Sequence, residues 1–286
     1  MIPTALVAAF GSGLAWAGLD IARKTLARDL RPSVVAAGLT LGQMVLFGAW
    51  STVTRPTLRL DSYLLPAVLS VVLGAGVQIL IVESVRRSEL SRTIPLLSFT
   101  PVATMLFGVL VLDEMPSATQ WLGILLVLVG GLGLGLSRLR SDARSRFSFD
   151  RGSGLMLAAA LLISAAAPFD KLAVAASEVE LHGFLQSAGI GALLIAFLVA
   201  RGNLSDLGRS FRTRPALTAA AFIALAAVGL QFTAYQGAMV GVVETVKRFI
   251  GLGSSLVAGY LVFRERVTRA KVASLIVMAV GVGLML

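Results

Sequence analysis

Ten long apolar runs, each broken off by a short polar and often basic segment, order the chain from one end to the other. Their approximate bounds are 3–22, 33–53, 62–82, 93–112, 118–137, 154–174, 181–200, 215–236, 240–263 and 268–286. Within them apolar residues follow one another continuously rather than in a stripe of period 3.6, so no water-facing side is left over. A helix of about 20 such residues crosses the hydrocarbon layer. The pattern predicts an all-α polytopic membrane protein with ten transmembrane helices and no space for a soluble domain. The first run could pass for a signal peptide. It has no basic residues ahead of its apolar core and no cleavage site leading into a soluble domain, so it reads as the first span.

Composition agrees with this reading. Hydrophobic residues make up 57% of 286 and charged residues 14%, about half the charged share of an ordinary soluble domain, and the mean hydropathy is +0.88. With no cysteine and His182 as the only histidine, disulfides, thiolate metal sites and histidine-based acid–base catalysis have little to draw on. The glycine-rich G-G-L-G-L-G lies inside a span with no strand before it, so it is not a nucleotide loop. With no nucleophile–base constellation either, no catalytic residue, cofactor or metal is expected. The net charge of +10 would suggest nucleic acid in a soluble protein. Here 20 of the 25 Lys and Arg sit in the loops after runs one, three, five, seven and nine, and only Arg55, Arg59, Lys171, Lys247 and Arg248 lie toward the other side. Positive loops stay cytoplasmic. The expectation is a bacterial-type inner membrane protein with both termini outside and the bilayer, not nucleic acid, as its surroundings.

The runs also repeat. Gly76-Val77-Gln78 in the third matches Gly229-Leu230-Gln231 in the eighth at an offset of 153 residues. F-G-V-L-V-L-D-E closing the fourth matches A-G-Y-L-V-F-R-E closing the ninth, and V-G-G-L-G in the fifth matches V-G-V-G in the tenth, both at 151. The domains expected are a five-helix half over 1–137, a basic linker over 138–152 and a second five-helix half over 153–286. Five spans per half force the halves to be inverted relative to one another, which is the arrangement of many secondary transporters with a site at the repeat interface.

These motifs resemble the drug/metabolite transporter superfamily, specifically ten-helix proteins built of two EamA-type halves. The resemblance rests on the proline-containing fourth run ending in D-E, the ninth ending in F-R-E and the glycine-rich run after each. The V-K-R of the ninth run and F-D-K at 169–171 look like a bacterial subgroup. The resemblance implies a carrier and leaves the substrate open among amino acids, sugars, nucleotide-linked metabolites and drugs. Ten-helix relatives generally keep both termini in the cytoplasm, against the charge bias here.

Polar residues inside the runs are the candidate site. In the ninth, Glu244, Lys247, Arg248, Gly251 and Ser255 recur on one helix face, and Glu244 can reach either cation. A charge at membrane mid-depth costs roughly 2.5–3.5 kcal/mol and marks function by default. A cation left over after the Glu is paired would suit a carboxylate or phosphate. Asp170-Lys171 in the sixth run is either an interfacial pair or a second polar rung. Gln78 and Gln231 occupy equivalent places, and Tyr235, Gln43 and Trp16 are of the same standing. Trp50 and Trp121 read as interface anchors. Pro95 and Pro101 bend the fourth run, whereas their repeat counterparts Val246 and Leu252 do not. Gly38-x-x-x-Gly42 and Gly131-x-x-x-Gly135 permit close helix contact.

The function expected is alternating-access transport of a small anionic or zwitterionic metabolite, with Glu244 as the candidate proton carrier and uncoupled exchange equally open. The alternatives are a flippase for a lipid-linked sugar or lipid phosphate, and an accessory subunit that transports nothing. Oligomeric state is not legible.

Overall fold

The computed structural model describes residues 3–88, 93–141, 150–213, 215–263 and 267–286. Every predicted run is helical: α1 Pro3–Leu26, α2 Pro32–Thr54, α3 Leu60–Arg87, a 3-10 turn Ile94–Phe99 leading into α4 Thr100–Leu112, α5 Ala118–Ser141, α6 Arg151–Ala176, α7 Val179–Ala200, then, past the short helix α8 Leu204–Thr213, α9 Pro215–Tyr235, α10 Val240–Phe263 and α11 Arg269–Met285. Among the described residues there is no strand. Seven of these helices are long and apolar enough to cross a membrane by themselves. The exceptions among the ten are informative: the fourth is interrupted, α10 carries three charges, and α11 has 17 residues.

Two local features depart from expectation. Pro101 does not kink a continuous fourth helix. The chain runs as a 3-10 turn through Pro95, and Pro101 sits in the first turn of α4, where its missing N–H costs nothing. The break falls at Thr100. The second feature is α8, which was read as part of a basic loop. Its Leu207 is buried, and its Phe211 packs against the clusters of α2 and α9. Asp206 and Asn203 hold Arg31 from the loop after α1.

Helix packing has a regular plan. The nine most extensive contacts pair α3 with α6, α5 with α11, α1 with α9, α2 with α7, α1 with α10, α4 with α6, α2 with α9, α4 with α10 and α3 with α7. If the ten spans are numbered in order, adding five to each number returns the same set of pairs. Small residues permit the close approaches: a Cβ on Gly42 would meet Ala221 at 2.5 Å, and one on Gly123 would run into the Gly281 carbonyl. α2 thus lies close on α9, and α5 on α11. Gly131 faces Ser98 of the 3-10 turn.

The bundle has two unlike ends. At the end bearing the basic loops, Ser84 donates to the Gly152 carbonyl at 2.7 Å and Ser88 to Asp150 at 2.5 Å. At the far end, the largest apolar cluster gathers Ala5, Val174, Val179, Phe232, Val240 and Val243, all buried.

Candidate functional site

The start of α10 is where the polar residues converge. Glu244 and Lys247 are one turn apart, and the Lys247 ammonium donates to Glu244 Oε1 at 2.6 Å. α9 presents Gln231 and Tyr235, also one turn apart. The Tyr235 hydroxyl donates to Glu244 Oε1 at 2.8 Å, Gln231 Nε2 donates to the Tyr235 oxygen at 2.8 Å, and Gln231 Oε1 accepts from Lys247 at 2.6 Å. These four residues form a closed ring of hydrogen bonds. α1 adds Trp16, whose indole N–H donates to Gln231 Oε1 at 2.9 Å and whose ring lies 5.3 Å from the Lys247 ammonium. On its other contact the same ring takes the Arg23 guanidinium, also at 5.3 Å, a favourable cation–π arrangement. Glu244 is 3% exposed and Tyr235 fully buried, so each bond replaces water that is absent.

Arg248 is treated differently by the fold. Its Nη2 donates to Thr100 Oγ1 at 2.9 Å, at the break between the 3-10 turn and α4. Its Nε is buried with no hydrogen-bond partner. The charges that act on it are Glu244 and Asp20, and Asp20 is held at 3.6 Å by Arg23 with a side chain 70% exposed. Lys247, Arg248 and Arg23 against Glu244 and Asp20 leave one positive charge over. One turn along the same face, a Cβ added to Gly251 would meet nothing within 4 Å. The face therefore runs from a sealed ring, past a half-matched guanidinium, into open space. Ser255, expected to continue it, has a side chain outside the described residues.

Of the residues singled out from the sequence, Glu244, Lys247, Arg248, Gln231, Tyr235 and Trp16 come together. Gln43 does not join them: its amide donates to the Ala224 carbonyl at 2.9 Å and ties α2 to α9. Gln78 joins no network among the described residues, so its equivalence to Gln231 in sequence is not one of contact. Asp170 and Lys171 are not paired with each other. Lys171 donates to Glu114 Oε1 and to the Ala238 carbonyl, both at 2.7 Å, while Glu114 Oε2 accepts the Val240 N–H at 3.0 Å. Glu114 thereby caps the N-terminus of α10, where a carboxylate also meets the helix dipole favourably. It gets there because Asp113 closes α4 in the left-handed region, φ 54°, which Asp tolerates. Asp170, 6% exposed, turns instead toward Ser70 and Gln186.

Sequence reading left Asp20 and Arg23 within D-I-A-R-K, the first-run counterpart of Asp170-Lys171, and it missed Thr100 and Glu114. The last was visible only as half of a family motif, and Thr100 as a polar residue beside two prolines. Among the described residues no group of three His, Asp or Glu lies close enough to hold a metal ion.

Comparison with known proteins follows this geometry. No curated protein matches the sequence. A crystal structure described only as that of a protein superposes with a TM-score of 0.75 over 98% of this chain and 95% of its own, at 13% identity; at that identity the likeness is one of fold. Residues 3–136 match the EamA-like transporter family. With seven helices long and apolar enough to cross a membrane, the chain is a multi-pass membrane protein whose first half, residues 3–136, is similar to the EamA-like transporter family.

Proposed function

We propose that the protein is a secondary carrier for a small anionic or zwitterionic metabolite, bound between two inverted five-helix halves at Lys247 and Arg248. The observation that carries this reading is the Arg248 guanidinium: its Nε is buried without a partner, its Nη2 meets a neutral hydroxyl, and on the same helix face Gly251 adjoins open space. Leaving a cation undermatched inside a bundle costs several kcal/mol, and an anion on the substrate would recover it. Planar guanidinium suits a carboxylate or phosphate taken through two parallel hydrogen bonds. Lys247 is already bound to Glu244 and Gln231, so it can exchange these partners for a substrate anion without being stranded.

Alternating access is supported by the difference between the ends. The far end is closed by the Lys171–Glu114 bridge and the apolar cluster around Phe232, while Asp20 and Gly251 open toward the basic end. The self-mapping pair list is what two inverted repeats would produce. In this reading the basic loops are cytoplasmic, the membrane is a bacterial-type inner membrane, and the conformation opens inward.

The test is a thermal-shift screen of the purified protein against carboxylate, phosphate and lipid-phosphate libraries, followed by uptake into proteoliposomes of whichever compound stabilises it. Arg248→Lys keeps the charge and removes the fork, and should cost at least tenfold in apparent affinity. If both Arg248→Lys and Lys247→Arg transport at wild-type rates and affinities, the anion site is wrong.

A further inference from the structure

We infer that Asp170 and His182 form a proton-binding site near the far end of the bundle, distinct from the cationic cluster but joined to it through Phe232 and Tyr235. His182, on α7, is fully buried, and its Nε2 lies 3.5 Å from Asp170 Oδ1 on α6. That nitrogen has no hydrogen-bond partner in the resting arrangement. The other ring nitrogen, Nδ1, lies 3.2 Å from the hydroxyl of Tyr63 on α3. Asp170 Oδ1 also accepts from Ser70 and Gln186. Lys171, next to Asp170 in the chain, is committed to Glu114 and the Ala238 carbonyl. Among the described residues, His182 is therefore the basic group placed to neutralise the Asp170 carboxylate.

An unneutralised buried carboxylate is costly, and imidazole is the side chain that takes up a proton near neutrality. With His182 neutral, the Nε2–H faces Asp170 while Nδ1 accepts from the Tyr63 hydroxyl. One added proton goes onto Nδ1, the Tyr63 oxygen turns to accept it, and the charge of the pair passes from −1 to zero.

The groups around the pair are few. α3 brings Tyr63 and α6 brings Asp170. α2 and α9 bring Phe47 against Gly183 and Phe232 against His182, the latter with ring centroids 5.0 Å apart. Just before α7, Glu178 holds Thr57, and on α7 itself Glu180 lies two residues from His182. Behind Phe232 stands Tyr235, centroids 6.5 Å apart, whose hydroxyl donates to Glu244 at 2.8 Å. Through Phe232 and Tyr235 the pair is thus joined by packing to the ring of Glu244, Lys247 and Gln231.

His182 is the only histidine, so full-length protein labelled with 15N-histidine in nanodiscs yields one unambiguous imidazole signal. The wild-type signal should respond to pH, and Asp170→Asn should shift the midpoint of that response by about tenfold in proton concentration. Tyr63→Phe, which preserves the ring, should alter the Nδ1 resonance and serves as the second variant if Asp170→Asn does not fold. Lys247→Met should move the midpoint measurably. A wild-type signal unchanged with pH, or a midpoint unaffected by loss of Asp170, overturns the site; a midpoint unaffected by Lys247→Met overturns its link to the cluster. Failure of Lys247 and Arg248 to bind an anion would leave the titration of the pair intact, so the two ideas fail separately.

Discussion

Gly251 and Gly241 lie on the same helix and make opposite demands. A Cβ on Gly241 would come within 2.7 Å of Met105 Cβ and 2.9 Å of its Cα, whereas one on Gly251 meets nothing. Gly251→Val should fold with a melting temperature near wild type and lose transport at least tenfold by filling the open space. Gly241→Val should cost about 1–3 kcal/mol through overpacking, read as a lower melting temperature. The reverse ranking of transport loss and thermal stability would place the pathway elsewhere. Tyr235→Phe removes a hydroxyl that both donates to Glu244 and accepts from Gln231. Hydrogen bonds between membrane helices average roughly 0.6 kcal/mol each, so a loss of about 1 kcal/mol in stability is expected, with substrate affinity changed more than folding because Glu244 is then held by Lys247 alone among these side chains. At this scale the sequence was informative for α10, where helical spacing puts Glu244, Lys247 and Arg248 on one face. It was uninformative for Arg23, which counts as a loop charge in the sequence and lies over the Trp16 ring in the fold.

Two helix ends decide how the site is held. α10 begins on a carboxylate borrowed from Glu114, more than a hundred residues earlier in the chain, and Lys171 locks that carboxylate to the carbonyl of Ala238. Removing one partner of a buried ion pair strands the other, at about 3–5 kcal/mol; the Glu114 side chain is 9% exposed and that of Lys171 26%, so the lower figure applies. Glu114→Gln should therefore lower the melting temperature and raise labelling of a cysteine placed at Ala238 by a water-soluble maleimide, since the far end loses its closure. Unchanged labelling would show that the bridge does not seal that end. The start of α4 is the second such end. Pro95 and Pro101 were expected to bend one helix; instead they bracket a 3-10 turn whose junction offers Thr100 to Arg248. The element's existence was legible from its apolar run, while its break was not, because proline spacing alone leaves open whether a helix kinks or restarts.

For the molecule as a whole, the distribution of Lys and Arg makes a topological prediction. Reporter fusions after Leu286 and within 142–149 should place the tail outside and the linker in the cytoplasm; the opposite pattern would restore the orientation usual among ten-helix relatives and reverse the direction in which the open end points. The order and approximate bounds of the helices could be read from the chain because hydrocarbon imposes a length and an apolarity that seven of the ten meet outright. The amphipathic α8 escaped notice because ten residues in a basic loop carry no such signature, and its burial depends on α2 and α9 being there to receive Leu207 and Phe211. Which polar residues meet was a matter of packing. Gln78 and Gln231 are alike in sequence, and only Gln231 finds Trp16, Tyr235 and Lys247, because α9 lies against α1 and α10. Hydropathy is a local property, summed along one segment; a hydrogen-bond partner across the bundle is not, and it exists only once helices far apart in the chain have been brought side by side.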